Sequence, residues 1–164
     1  MKKLVLFISF ILVFGTSVSC AQKMEVGNSL INVGAGFVSG VGLTVTYDYG
    51  LIDSWGPGLF TIGGIVGFNT WRESYSQNNR YRETTWAFAP RATYRYSIIP
   101  QFEVYGSFMF GVRLNSYSDY YNNRLRVFVG ATGGCRYIFN PRLSVFAEVG
   151  YMTSIINAGL SISI

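Results

Sequence analysis

Charge is scarce in this chain: Asp, Glu, Lys and Arg together make up 13% of its 164 residues, about half of the roughly 25% usual in soluble domains. No lysine occurs after Lys23, and there is no histidine at all. The first shortage excludes the well-charged surface of an ordinary water-soluble domain; the second removes the commonest general acid–base group and metal ligand. Cysteine is limited to Cys20 and Cys135, so a disulfide framework is excluded. Positive charge is only in modest excess, 13 Lys and Arg against 8 Asp and Glu, which does not suggest a nucleic-acid partner. Aromatic residues, in contrast, reach 17%.

The first segment is of a different kind from the rest. Lys2 and Lys3 precede an apolar run from Leu4 to Phe14 and then the small-residue stretch GTSVSCAQ. This is the pattern of a secretory signal, too short to span a bilayer. Ser19 and Ala21 satisfy the small-x-small rule, so cleavage is expected after Ala21, dividing the chain into a signal peptide (1–21) and one domain (22–164). Losing Lys2 and Lys3 leaves 11 basic residues against 8 acidic ones, a net charge of +3. Cys20 allows a second reading as the acylated first residue of a lipoprotein, although Ser17 stands where that pattern favours Leu. If Cys20 leaves with the signal, Cys135 has no intrachain partner and reads as a small apolar filler on a strand.

Past the signal there is no helical period, but alternation with period two returns in eight segments separated by Gly, Pro, Asn and Asp. They run near 29–38, 41–51, 58–74, 81–98, 101–117, 123–139, 143–152 and 156–164. In the second, Val41, Leu43, Val45, Tyr47, Tyr49 and Leu51 share one face while Thr44, Thr46 and Asp48 share the other. The fourth sets Trp86, Phe88, Ala92, Tyr94 and Tyr96 against Thr85, Arg91, Thr93 and Arg95. The fifth sets Val104, Phe108, Phe110 and Val112 against Glu103, Ser107 and Arg113.

Two inside-out versions of a closed barrel use such a pattern. A soluble binding barrel turns its apolar face inward and needs a charged exterior. Here the polar faces carry few charges and many Gly, Ser and Thr, which suits the interior of a transmembrane barrel whose apolar face meets lipid. Connection lengths agree with the second version: DSWGP, PQ and NPR on one side are short turn formers, whereas RESYSQNNRYRE and SYSDYYNN on the other are long and polar. The fold class is therefore all-β, a closed eight-stranded antiparallel up-and-down transmembrane barrel behind a cleavable signal.

The domain after the signal resembles the small eight-stranded outer-membrane barrels of the OmpA/OmpX-like type. The most specific likeness is at the end, where Asn157, Gly159, Ile162 and Ile164 match that family's assembly signal, with Ile164 in place of the usual Phe. The resemblance implies the outer membrane of a Gram-negative bacterium. It also implies outer-membrane lipid and lipopolysaccharide as surroundings, and recognition by the barrel-assembly machinery.

An eight-stranded barrel is just wide enough for its own side chains. The inward charges Asp48, Arg91, Arg95, Glu103, Arg113, Arg136 and Glu148 are then expected to pair with one another, since unpaired buried charge is expensive. Counting through the turns at Pro100 and Pro141 predicts Arg95 near Glu103 and Arg136 diagonal to Glu148. Barrels of this size that are lipid A palmitoyltransferases or deacylases lean, as families, on His; with none here, no Ser/His/Asp set or metal centre can be assembled, and no enzyme, metal or cofactor is expected. The pairs Gly63, Gly64 and Gly133, Gly134 read as bulges or close packing rather than a phosphate cradle.

Because 9 to 11 residues cross a bilayer, strands three to six are long enough to project beyond it. Their tips carry Tyr75, Arg80, Tyr81 and Arg82 in one hairpin and Tyr117, Tyr120, Tyr121 and Arg124 in the other, a composition suited to contacts with a host or other cell-surface ligand. The alternative is that these tyrosines belong to an interfacial girdle and the arginines touch lipopolysaccharide phosphates. The expected function is a monomeric, filled barrel with a structural or surface-adhesive role. The competing readings are a narrow anion-favouring channel lined by Arg91, Arg95, Arg113 and Arg136, and a lipid-tethered ligand-binding barrel.

Overall fold

The computed structural model describes residues 24–37, 40–53, 56–75, 79–117, 120–151 and 154–164, with side chains described except at 72–75, 79–83, 117 and 120–123. The expected signal peptide and Cys20 lie outside the described residues. Eight strands follow in order: β1 (Ser29–Phe37), β2 (Val41–Ile52), β3 (Leu59–Tyr75), β4 (Asn79–Ile99), β5 (Phe102–Tyr117), β6 (Tyr120–Ile138), β7 (Leu143–Gly150) and β8 (Ile156–Ser163). Each pairs antiparallel with the next, and β8 pairs with β1, so the sheet closes into a barrel. At the seam the Ser29 and Ile164 backbones exchange hydrogen bonds of 2.9 and 2.8 Å. The strand that ends the sequence therefore leaves no open edge along its length.

The period-two pattern sets the phase. On β2, Gly42, Thr44, Thr46, Asp48 and Gly50 are buried while Val41, Leu43, Val45, Tyr47, Tyr49 and Leu51 are exposed. On β4, Trp86, Phe88, Tyr94 and Tyr96 face outward, and Arg91, Thr93 and Arg95 face the interior. Ten residues separate Trp86 from Tyr96; at about 3.3 Å per residue and a tilt of roughly 40°, that is an apolar band about 25 Å tall. An indole rims one edge of this band and phenols rim the other, with Tyr47, Tyr49, Tyr94, Tyr96 and Tyr137 near the end that holds the chain termini.

Two turns have a local cause. Between β6 and β7, the Asn140 Oδ1 accepts the N–H groups of Arg142 and Leu143 at 3.0 and 2.7 Å, an Asx turn that fixes the chain around Pro141. Before β2, Gly40 has φ of 107°, and a Cβ there would stand 2.5 Å from the Thr70 carbonyl oxygen, so only glycine fits.

The hairpin tips differ from the sequence reading. β4 begins at Asn79 and β6 at Tyr120, so Arg80, Tyr120 and Tyr121 stand on strands rather than in loops and β3 runs on to Tyr75, while Tyr81, Arg82, Tyr117 and Arg124 fall on strands as the expected segments place them. Polar composition reports the medium around a strand, whereas backbone pairing continues wherever two antiparallel chains can match, here to Tyr75 opposite Asn79 and Tyr117 opposite Tyr120. The barrel wall is consequently uneven. β7 pairs with β6 only from Thr132 onward, and β2 with β3 only up to Thr70. The wall formed by β3 to β6 stands higher than the wall formed by β7, β8, β1 and β2.

Candidate functional site

The interior is layered. Leu30 and Leu59, joined by Met24 from the segment before β1, form an apolar layer at the termini end. Ile65, Ala87, Ala89, Met109 and Phe128 form another toward the far end. These inward apolar residues correct the expectation of a wholly polar lumen: with two apolar layers at different depths, the interior packs like a core, and periodicity alone does not say which inward positions are dry.

Between the layers lies a cluster of six buried charges, Asp48, Arg91, Arg95, Glu103, Arg136 and Glu148. Arg95 Nη2 donates to Asp48 Oδ2 at 2.6 Å, and Arg91 Nη2 donates to Glu148 Oε1 at 2.6 Å, with Arg91 Nε 3.8 Å from Asp48 Oδ1. Arg136 Nη2 lies 2.9 Å from Glu103 Oε2. Three cations face three anions, so the cluster is neutral, as burial requires. Hydroxyls and an amide extend it: Arg91 donates to Ser107 Oγ at 2.8 Å and to Thr93 Oγ1 at 3.0 Å, and Asn32 donates to Thr46 at 2.5 Å. The Met24 backbone N–H donates to Glu103 Oε1 at 3.2 Å, tying the leading segment to the cluster.

The pairing expected from turn counting is not the one formed. Arg95 is bonded to Asp48 instead of Glu103, and Arg136 to Glu103 instead of Glu148. The expected placement holds, since Arg95 opposite Tyr105 is diagonal to Glu103 and Arg136 opposite Phe146 is diagonal to Glu148, but Glu103 stands directly opposite Arg136 and pairs with it. Curvature explains the remainder, because inside a closed barrel a side chain reaches strands that are not its neighbours. Arg113, also assigned to this cluster from sequence, stands apart from it; its guanidinium lies 4.4 Å from the Phe128 ring centre and 5.1 Å from that of Tyr151.

Glycine makes the reach possible. Asp48 on β2, Gly63 on β3 and Arg91 on β4 share one pairing row, so the residue between the two charges has no side chain to separate them. A Cβ at Gly63 would also run into the Tyr47 carbonyl oxygen. On the opposite wall, Tyr105 pairs with Gly134 and lays its ring over it, so that a Cβ at Gly134 would stand 2.6 Å from Tyr105 Cζ. That ring in turn receives the Arg95 and Arg91 guanidinium groups at 4.7 and 5.8 Å from its centre. Tyr105 was not singled out in the sequence reading; its signal was its place between Glu103 and Ser107 on the same face of β5.

At the closing seam, Asn157 is buried and donates to Thr44 Oγ1 at 2.6 Å. A Cβ at Gly159 would collide with the Val33 carbonyl oxygen. Ile162 and Ile164 face outward. Of the eight tip residues, only Arg124 has a described side chain, and it is exposed; those of Tyr75, Arg80, Tyr81, Arg82, Tyr117, Tyr120 and Tyr121 lie outside the described residues. By backbone register, Tyr75 lies seven residues beyond Phe68, the partner of Trp86 at the edge of the apolar band. That is about 17 Å of height.

A closed barrel with an apolar exterior band, aromatic rims and a neutral polar interior has the fold of a transmembrane β-barrel. No family model and no curated protein sequence matches the chain. Among solved structures, one described as the de novo design of transmembrane β-barrels is similar with a TM-score of 0.58 and 16% identity, covering 87% of this chain and 100% of the other. A second, the solution NMR structure of the de novo designed TMB2.3, is similar at 20% identity with a TM-score of 0.49, covering 87% of this chain and 98% of the other.

Proposed function

We propose that this chain is an integral barrel of the OmpA/OmpX-like type in the outer membrane of a Gram-negative bacterium, monomeric and not an enzyme, with a structural and surface-adhesive role at the end opposite its termini. The observation that carries this reading is the uneven wall: β3 to β6 continue well past the apolar band while the other four strands stop near its edge. A membrane span does not need that extension, and a sheet held above the lipid is suited to contacts with another surface. Lipid and lipopolysaccharide are its surroundings, the barrel-assembly machinery its route of insertion, and a host or cell-surface ligand its partner. The position of Tyr75 and Tyr81 well beyond the Trp86 row favours contact over a girdle role for this hairpin.

The interior supports the filled-barrel reading over the anion-favouring channel. Arg91, Arg95 and Arg136 each face a carboxylate, so they present no ring of free positive charge to a passing anion. Beside Glu148 the space bounded by Thr44, Thr132 and Asn157 is about 10 Å³, room for one water at most, while the space of about 470 Å³ that Arg95 and Glu103 line lies at the termini end. The test uses the refolded full-length domain in lipid vesicles presented to cells and extracellular matrix proteins. Shortening the β3–β4 hairpin by residues 72–82 is expected to abolish retention while leaving the barrel folded. Equal retention by the shortened and intact barrels would overturn the adhesive role, and steady anion-selective currents in planar bilayers would overturn the filled interior.

A further inference from the structure

We propose that a groove in the lipid-facing wall at Gly64 and Pro90 is a binding site for a membrane-lipid acyl chain that carries a hydroxyl partway along its length. The ladder between β4 and β5 is interrupted at this point. These strands keep one register from Phe88 opposite Val112 to Arg91 opposite Met109, yet Ala89 and Pro90 between them have no pairing partner on β5. On its other side Pro90 keeps Gly64 as its partner. Proline has no N–H, so the bond that is lost is the one position 90 would donate to Phe110, the residue across from it in that register. The Phe110 carbonyl is therefore without its ladder donor, and none of the backbone bonds outside the ladders among the described residues reaches it.

In ordinary sheets proline is confined to edges, strand starts and bulges, but a closed barrel has no edge and Pro90 stands within the apolar band. Four residues separate it from Trp86, about 10 Å of height below that rim. There is no water in the hydrocarbon to satisfy a backbone carbonyl at that depth. The barrel interior does not supply a donor either. Behind the gap lies the dry layer of Ile65, Ala87, Ala89, Met109 and Phe128, and Arg91, the next inward donor along β4, is turned to Glu148, Ser107 and Thr93. The donor has to come from the lipid side.

The outer surface has the shape for it. Gly64, between Tyr47 and Pro90 in one pairing row, has no side chain, and Pro90 and Ala92 are short. The exposed Tyr47, Ile62, Phe108 and Phe110 stand around them, leaving a groove of about 610 Å³. A Cβ at Gly64 would meet only the Ala89 carbonyl oxygen, at 3.6 Å, so the floor is open rather than packed. The Tyr47 hydroxyl is engaged by Ser29 Oγ at 2.9 Å, which fixes that ring as one side of the groove. An acyl chain matches the apolar sides, and a hydroxyl on it supplies the donor that the Phe110 carbonyl lacks. A plain chain buries the same carbonyl without a bond, and that difference is the source of selectivity. The inference rests on the transmembrane fold and is independent of the adhesive role.

The test is native mass spectrometry of the refolded full-length domain, released from detergent micelles that contain equal amounts of two phosphatidylethanolamines. One carries plain stearoyl chains; in the other, one stearoyl chain is hydroxylated near its middle carbon. The two adducts differ by the mass of one oxygen and are read in the same spectrum. The parent is expected to retain the hydroxylated lipid about fivefold over the plain one, the net worth of a single hydrogen bond. Pro90→Ala restores the N–H that Phe110 accepts, so it is expected to keep a lipid but lose the preference. Gly64→Leu fills the floor and is expected to lose both adducts, whereas Gly133→Leu, with nothing within 4 Å of the added carbon, should behave as the parent. Folding of each variant is checked by heat-sensitive gel mobility, and Ala92→Leu, which closes the groove from the next outward position, replaces Gly64→Leu if that variant does not fold. No preference in the parent, an equal preference in folded Pro90→Ala, or undiminished retention by the folded groove-filling variant would overturn the proposal.

Discussion

The Arg95–Asp48 pair permits a quantitative test of the interior, because it competes with a different pairing that register counting alone suggests. Both side chains are almost completely buried, and the bond between them is 2.6 Å. Removing one member of such a pair leaves an uncompensated charge in a dry interior, typically costing about 3 to 5 kcal/mol. Asp48→Ala and Arg95→Ala should each show a loss of that size in urea unfolding from lipid vesicles. The double variant should lose much less than the sum, with a coupling energy of about 2 to 3 kcal/mol. Asp48→Asn, which keeps an oxygen to accept the bond but removes the charge, should fall between the parent and Asp48→Ala. The matching cycle for Arg95 and Glu103 should give a smaller coupling than the Arg95–Asp48 cycle, since among the described residues the ion pairs join Arg95 to Asp48 and Glu103 to Arg136. Additive losses for Arg95 and Asp48, or larger coupling between Arg95 and Glu103, would refute the cross-barrel arrangement and with it the reading of Gly63 as a spacer.

Other expectations follow from the same geometry. Gly63→Ala, whose new methyl would meet the Tyr47 carbonyl, should cost several kcal/mol or prevent folding, whereas Gly133→Ala, with nothing within 4 Å of the added carbon, should leave the unfolding midpoint unchanged. Tyr105→Ala removes both the cover over Gly134 and the ring under Arg95 and should destabilise by about 3 to 5 kcal/mol in the same assay; Tyr105→Leu should recover part of this. In bilayers, the fluorescence of a variant with Trp86 as its only tryptophan should be quenched most by lipids brominated near the headgroup, and strongest quenching by lipids brominated near the chain ends would place the apolar band wrongly.

The fold was legible because a transmembrane barrel writes its phase into every strand: Thr44, Thr46 and Asp48 against Leu43, Val45 and Tyr47 leaves one closed arrangement with apolar residues outside. The members of the interior cluster were legible for the same reason, since Arg91, Arg95, Glu103, Arg136 and Glu148 all fall on inward positions. Who pairs with whom was not legible. Pairing depends on register between strands and on curvature, and a single strand's alternation carries neither. Asp48 reaches Arg91 and Arg95 only because β3 offers Gly63 between them, a contact separated by more than 40 residues in sequence. The hairpin tips were misjudged for a different reason: Arg80 and Tyr121 are polar because they leave the lipid, and polarity was taken for loop although the ladder runs on.

The three interior pairs are not equivalent in what they report. Glu103 and Arg136 are partners on adjacent strands, so a flat sheet of β5 and β6 already brings them together. Asp48–Arg95 and Arg91–Glu148 join β2 to β4 and β4 to β7 across the lumen, and they form only once the sheet has curved and closed. Interactions that form late leave folding rates nearly unchanged when removed and appear instead in the unfolding rate. Glu148→Gln is therefore expected to speed unfolding from vesicles on the order of tenfold or more while changing the folding rate little, whereas Glu103→Gln should slow folding as well. Comparable slowing of folding by both variants would mean that the cross-lumen pair is made before closure, and would remove the distinction between pairs that a sheet can make and pairs that need a barrel.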